Sequence, residues 1–321
     1  MGKPPPLDEF QRIARYFAPL AGPGALGLKD DIALIDGPVG TQYVLKTDAI
    51  VEGIHFFRAD PPHQIAQKLL RVNLSDLAAK GAVPLGYLLV MALPPTRDEA
   101  WLEAFSAGLA EDQRRYHLAL LGGDSVRIDG PTTLSMTAIG QVDAGAAPLR
   151  SGARVGDTIY VSGTLGDAAI GLRVLKGGLA GLTANHRRHL TGRYRLPEPR
   201  LELGRQLIGI ASAAMDISDG LVADLGHLCD ASGVAAEIEA ARLPLSPAAR
   251  EAVVTDPALI LAALAGGDDY EILFAAPATA AARLGVLPVT PIGRISAGAG
   301  VTVRAADGGI MTIAAGGYRH I

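Results

Sequence analysis

Residues 213–229, AAMDISDGLVADLGHLC, are the stretch whose reading decides the fold. The apolar opening, residues 213–217, predicts a strand. Gly220 breaks it, and Leu221, Leu225 and Leu228 then recur at helical spacing with Cys229 on the same apolar side. Asp216 and Asp219 fall where the strand hands over to the helix. In sheets flanked by helices, that rim is where sites are assembled.

The same grammar extends in both directions. Upstream, β-branched and aromatic content with Gly or Pro punctuation predicts strands over residues 42–47, 85–92 and 132–142. Between them, residues 62–80 (with Ile65, Leu69 and Leu70 on one face) and 98–116 read as helices. The apolar run 83–93, bounded by prolines, reads as a buried strand and is too short to span a membrane. Residues 143–156, DAGAAPLRSGARVG, are a polar Gly/Ala-rich stretch, which places a domain boundary near residue 150 and gives domains of 1–150 and 151–321. The second half restarts with a strand at 157–162 and a helix at 167–175. A mobile loop and short helix are expected over 177–197, and strands near 234–238, 271–275 and 301–303. Alternation in both halves gives an α+β, α/β sandwich-like class.

Composition sets the outer limits. The 321 residues carry 29 Lys+Arg against 33 Asp+Glu, a net charge of −4, which argues against a nucleic-acid binder held by phosphate contacts. Aromatic residues make up only 5%, too few for base-stacking platforms. The one cysteine, Cys229, can form neither an intrachain disulfide nor a multi-cysteine zinc site, which fits a reduced compartment. The opening MGKPPPLDEF has no apolar signal core, so a cytoplasmic protein is expected.

Acidic residues punctuate the chain: Asp30-Asp31 in LKDDIALI, Thr47-Asp48 in KTDAIVEGIHF, Asp76 in NLSDLAAKGA, Asp124 in LGGDS, Asp216 and Asp219, and Asp268-Asp269 in GGDDYEILF. Any one of these is commonly a turn or helix-cap residue. Six such motifs at the ends of apolar runs are harder to assign to chance. Carboxylates gathered on one rim repel unless a cation holds them, and these motifs bring few local cations. Hard oxygen ligands, with no HExxH or CxxC spacing, favour Mg²⁺ over zinc. Three glycine turns, at Gly122-Gly123, residues 162–167 and residues 218–220, are expected to offer backbone N–H groups to an anion. None matches a P-loop.

Taken together, DDIALI, TDAIVEGIHF, NLSDLAAKGA, GGD, RSGARVGD, IYVSGTLGD, MDISDGL and GGDDYEILF closely resemble the thiamine-monophosphate kinase family, in order and spacing over nearly the whole chain. The resemblance implies the two-domain fold of the aminoimidazole ribonucleotide synthetase-like ATP-binding superfamily. It also implies ATP-dependent phosphorylation of thiamine monophosphate to thiamine diphosphate with several Mg²⁺ ions. Carried across by position, metal ligands would be Asp31, Thr47, Asp48, Asp76, Asp124, Asp216 and Asp219. ATP contacts would fall on Gly123, Asp124, Arg150 and Ser218, and substrate contacts on His55, Asp268 and Tyr318. The family's first-domain sheet pairs with its symmetry mate, so a homodimer is implied.

Two positions depart from the family pattern: Lys29 stands where Gly is usual, and Lys46 where Ser or Thr is usual. The chain has only six lysines, so the Lys46 ammonium is expected to replace part of the charge of one metal ion, unless it is an outward strand residue. Other readings within the superfamily fit less well. A selenophosphate synthetase would carry a reactive cysteine near its N-terminus and a hydrogenase-maturation protein a C-terminal one, whereas this chain has only Cys229 and ends in Tyr318-Arg319-His320-Ile321. The NLSD and MDISDGL motifs point away from aminoimidazole ribonucleotide synthetase itself. A non-catalytic nucleotide-binding relative would tolerate loss of the acidic ligands, yet all seven matched positions are acidic or Thr here.

Overall fold

The computed structural model describes residues 11 and 13–313. Two sheets carry the architecture. The first has the order β1-β2-β5-β3-β4, built from β1 (Ala33–Asp36), β2 (Thr41–Val51), β3 (Val83–Leu93), β4 (Ala119–Arg127) and β5 (Thr133–Asp143). Its pairs are antiparallel except for β3 and β4, which run parallel. The second has the order β11-β8-β10-β6-β9-β7, from β6 (Thr158–Ser162), β7 (Ala213–Asp216), β8 (Ala235–Glu239), β9 (Ile272–Ala276), β10 (Val289–Ser296) and β11 (Gly300–Arg304). Each sheet has its own core, around Val44, Leu74 and Met136 in one and around Val161, Leu225 and Leu273 in the other.

Helix α1 (Pro62–Ala79) lies between the two sheets. Pro62 at its first position presets the helical φ, and Gly81 at φ +65 ends it in a left-handed turn. Every residue from Ile65 to Ala79 is buried, polar ones included. One side packs on β2 and β5, and another meets the second unit at α5 (Leu201–Leu207), β7 and β9. Burying Leu69, Leu70, Leu74 and Leu77 contributes about 1.5–3 kcal/mol each. Helix α2 (Glu99–Tyr116) starts at Asp98, whose side chain accepts from the Trp101 amide.

Two expectations need correction, and a third needs a longer helix. Strand β3 is not buried on both faces. Val83, Leu85, Leu88 and Val90 are exposed, because α1 and α2 pack on the opposite face. Residues 177–197 hold the expected loop, over 177–183, followed by a helix longer than expected: α4 (Ala184–Arg195) has 12 residues, is capped by Thr183 and is anchored by buried Leu190 and Tyr194. Gly122-Gly123 is no turn. Both glycines lie inside β4, where a Cβ on Gly123 would stand 1.9 Å from the Leu89 carbonyl oxygen, so only glycine lets the strands approach.

Candidate active site

Strand alternation explains how charged residues come to face inward. On β2 the buried Val44 and Ile50 share a face with Lys46 and Asp48, which therefore point toward α1. Asp76 reaches the same spot from α1, Asp216 from the end of β7, and Asp31 from the segment preceding β1. Asp31, Asp76 and Asp216 each offer a carboxylate oxygen within 4.8 Å of the others. Asp76 and Asp48 thus act from inside long elements rather than from their ends.

Lys46 sits in this rim, its ammonium 3.2 Å from Asp76 and 3.3 Å from Asp48. It is not an outward residue. Burial opposes its charge, but Asp76, Asp48, Asp31 and Asp216 outweigh burial and hold the amine well above its usual range. The buried Lys80 donates to the Ala214 carbonyl and lies 2.9 Å from Asp30 and 3.9 Å from Asp31. Arg150 grips Asp31 in a bidentate pair and donates its backbone N–H to Asp30. Burial alone would raise the Asp31 carboxyl, but Arg150, Lys80 and Lys46 bring it below the usual range.

For the other two carboxylates, burial and neighbouring negative charge outweigh Lys46. Burial and then the charge of Asp216 push Asp76 well above the usual range. Burial and then Asp31 push Asp216 up to about 6. The Asp216 Oδ2 is buried and has no hydrogen-bond partner among the described residues. A buried, partnerless carboxylate oxygen beside two further carboxylates is a donor set suited to a hard divalent cation.

The other expected residues are placed as follows. The Thr47 hydroxyl points to the opposite face of β2, bonded to the Met136 carbonyl and the Thr137 hydroxyl, outside the carboxylate group. Asp219 is half-buried in the turn after β7. Asp124 and Gly123 lie exposed on β4. The register Asp48–Met136–Leu89–Gly123 puts them three strands from Asp48, about 14 Å at the usual strand spacing. His55 accepts from the Val51 amide at Nδ1, so its ring proton is on Nε2. Asp268 has φ +69, a left-handed conformation that is strained for a non-glycine residue, and Tyr270 has φ +52. Tyr318 lies outside the described residues.

The glycine turns do not leave their N–H groups for an anion. The amides of Ser218, Asp219 and Gly220 all donate to Asp224 Oδ2. The amides of Gly166 and Ala168 donate to the buried Asp269. Internal carboxylates have taken the place of the expected ligand. The sequence reading also missed Lys68 within α1 and Lys80 just past its end, which become interior only because a second layer packs on that helix.

Known proteins match this arrangement. The family model described as AIR synthase related protein, N-terminal domain, covers residues 29–142, and that described as AIR synthase related protein, C-terminal domain, covers 154–306. The thiamine-monophosphate kinase of Escherichia coli (strain K12) is 41% identical over 97% of this chain and 98% of its own length. That of Caulobacter vibrioides is 42% identical over 92% of this chain and 86% of its own. A solved structure, AaThiL complexed with AMPPCP and TMP, is 32% identical and covers 100% of this chain and 99% of that one with a TM-score of 0.89. With likeness of this extent in both sequence and fold, the chain belongs to the thiamine-monophosphate kinase family.

Proposed function

We propose that the chain transfers the γ-phosphate of ATP to thiamine monophosphate in a direct in-line step, releasing thiamine diphosphate and ADP, in the cytoplasm. The observation that carries this reading is the three-carboxylate rim with its partnerless Asp216 oxygen, in a chain that matches the AMPPCP- and TMP-bound structure end to end. Asp31, Asp76 and Asp216 would hold Mg²⁺, with Asp48 and Asp219 beside them. When bound, Mg²⁺ supplies the positive charge that two approaching phosphate groups lack. Lys46 contributes part of that charge permanently.

The protein's own work is positioning. Arg150, locked on Asp31, orients that carboxylate and borders the nucleotide, and Ser218 lies at the turn that Asp224 fixes. His55 and Asp268 face the acceptor; Tyr318, outside the described residues, is assigned to it by its place in the family pattern. A phosphate monoester has its second pKa near 6 and arrives ionised, so no residue is needed as general base. Catalysis then rests on alignment and charge neutralisation.

We further propose a homodimer through the exposed face of β3 and β4. Leu85, Leu88, Val90, Leu121 and Val126 are exposed apolar residues that a second copy would cover. This also accounts for Asp124 and Gly123, which stand too far from Asp48 to serve the same rim and would act on the partner's nucleotide. The test incubates purified protein with ATP, Mg²⁺ and thiamine monophosphate. Thiamine diphosphate should form, and no more product than an Asp48→Asn/Asp219→Asn control makes would sink the reading.

A further inference from the structure

Lys68 is a charged side chain in the wrong place for solvation. It projects from the first half of α1, is 2% exposed, and serves no carboxylate of the metal rim. Its ammonium makes three contacts. It donates to the His55 backbone carbonyl at 2.9 Å, lies 3.5 Å from Asp268 Oδ1, and stands 3.8 Å above the centre of the Tyr194 ring. The Tyr194 hydroxyl donates to the same His55 carbonyl at 3.1 Å. His55 and Lys68 belong to the unit of the first sheet, whereas Tyr194 and Asp268 belong to that of the second.

Burying an ammonium is expensive unless each of its donors is used, so three matched acceptors around one amine form a fixed junction. The junction holds a strained element. Asp268 keeps its left-handed φ while its amide donates to the Ser218 carbonyl at 2.8 Å. Such a conformation persists only where its surroundings over-determine it. The Asp268 side chain remains 26% exposed, so part of the carboxylate opens outward while Lys68 fixes one oxygen.

We propose that Lys68 is a positioning residue for the acceptor subsite. It sets the Asp268 carboxylate and the His55 segment against each other across the two units, and so governs affinity for thiamine monophosphate rather than for ATP. This rests on the placement of His55 and Asp268 at the acceptor. Lys68 itself does not touch the substrate. Its pairing also cancels the Asp268 charge, which would otherwise repel an incoming phosphate monoester.

The test is calorimetric binding of thiamine monophosphate without turnover, alongside steady-state kinetics. Lys68→Met should weaken binding and raise KM for thiamine monophosphate by about tenfold while KM for ATP stays within about twofold, and Lys68→Arg should recover part of the loss. Combined with Asp268→Asn, Lys68→Met should add less than about twofold, because both remove one contact. Equal shifts in both KM values, or effects that multiply, would overturn the proposal. Should Lys68→Met fail to fold, Asp268→Asn alone must raise KM for thiamine monophosphate selectively, and a wild-type value there overturns it equally. Wild-type binding without product formation defeats the kinase reading alone, whereas no wild-type binding defeats both.

Discussion

The Lys46 ammonium lies 3.2 Å from an Asp76 carboxylate oxygen, so a cation supplied by the chain itself already occupies one side of the acidic rim. Lys46→Ser removes it and leaves Asp76 and Asp48 uncompensated. In EDTA the variant should lose about 3 kcal/mol or more of stability, the usual effect of breaking a buried pair. Millimolar Mg²⁺ should restore most of it, so the metal-induced rise in Tm becomes larger than in wild type. Thermal melts with and without metal read this directly. Unchanged Mg²⁺ dependence of both activity and Tm would show that Lys46 carries none of the metal's charge.

The rim also predicts how metal and pH interact. Asp216 has its folded-state pKa raised from 3.8 to about 6 by burial and by Asp31. A carboxyl raised on folding is best tolerated protonated, so the metal-free protein should lose stability as pH rises through about 6. Mg²⁺ removes that penalty. The Tm gain on adding Mg²⁺ should therefore be greater at pH 8 than at pH 5, by several degrees. A gain that is the same at both pH values would contradict this.

Asp224 gathers three amides of the Ser218–Gly220 turn on one oxygen. Burial, then the charges of Asp219, Asp216 and Asp31, push its carboxyl well above the usual range. Asp224→Ala should cost about 2–4 kcal/mol and disorder the turn that carries Ser218 and Asp219, with a large loss of kcat. Asp224→Asn keeps an acceptor oxygen and should cost less than about 1 kcal/mol. Denaturant melts of the two variants separate the outcomes, and equal losses would show that the acceptor oxygen of Asp224 does not hold the turn.

Charging the open sheet face should dissociate the proposed dimer. Val90→Asp with Leu121→Asp is expected to yield a folded monomer by light scattering, with little activity. Mixing inactive Asp124→Asn and Asp216→Asn chains, then exchanging subunits, should restore about a quarter of wild-type activity, because half the dimers are mixed and each holds one intact site. No recovery would mean that Asp124 serves its own chain.

What the sequence made legible follows from what each signal depends on. The strand–acid–helix grammar of residues 213–229 is local, and the structure reproduces it as β7, the Ser218–Gly220 turn and α6 (Leu221–Ser232). The aspartates were visible because a carboxylate beside an apolar run is conspicuous in any context. Strand β4 was not visible, because a glycine pair reads as a turn until the approach to the Leu89 carbonyl is known. Nor were Lys68 and Lys80, since a lysine in a helix, or just past its end, looks solvated until both faces of that helix are covered. The amides of the glycine turns were misjudged for a related reason: their partners, Asp224 and Asp269, are in one case four to six residues away and in the other about a hundred.

Helix α1 bears on how the chain assembles. From Ile65 to Ala79 it has no solvent side, and its charged residues are matched by groups from both units: Asp76 by Lys46, Arg71 by Asp112 and Lys68 by Asp268, with Lys80 just past its end matched by Asp30. Cut away from either neighbour, it would expose a strip of leucines or strand buried charges. The two sheets are thus two halves of one cooperative unit, and the chain should melt in a single transition. Recombining its halves with those of distant relatives would fail unless this one helix were matched to both.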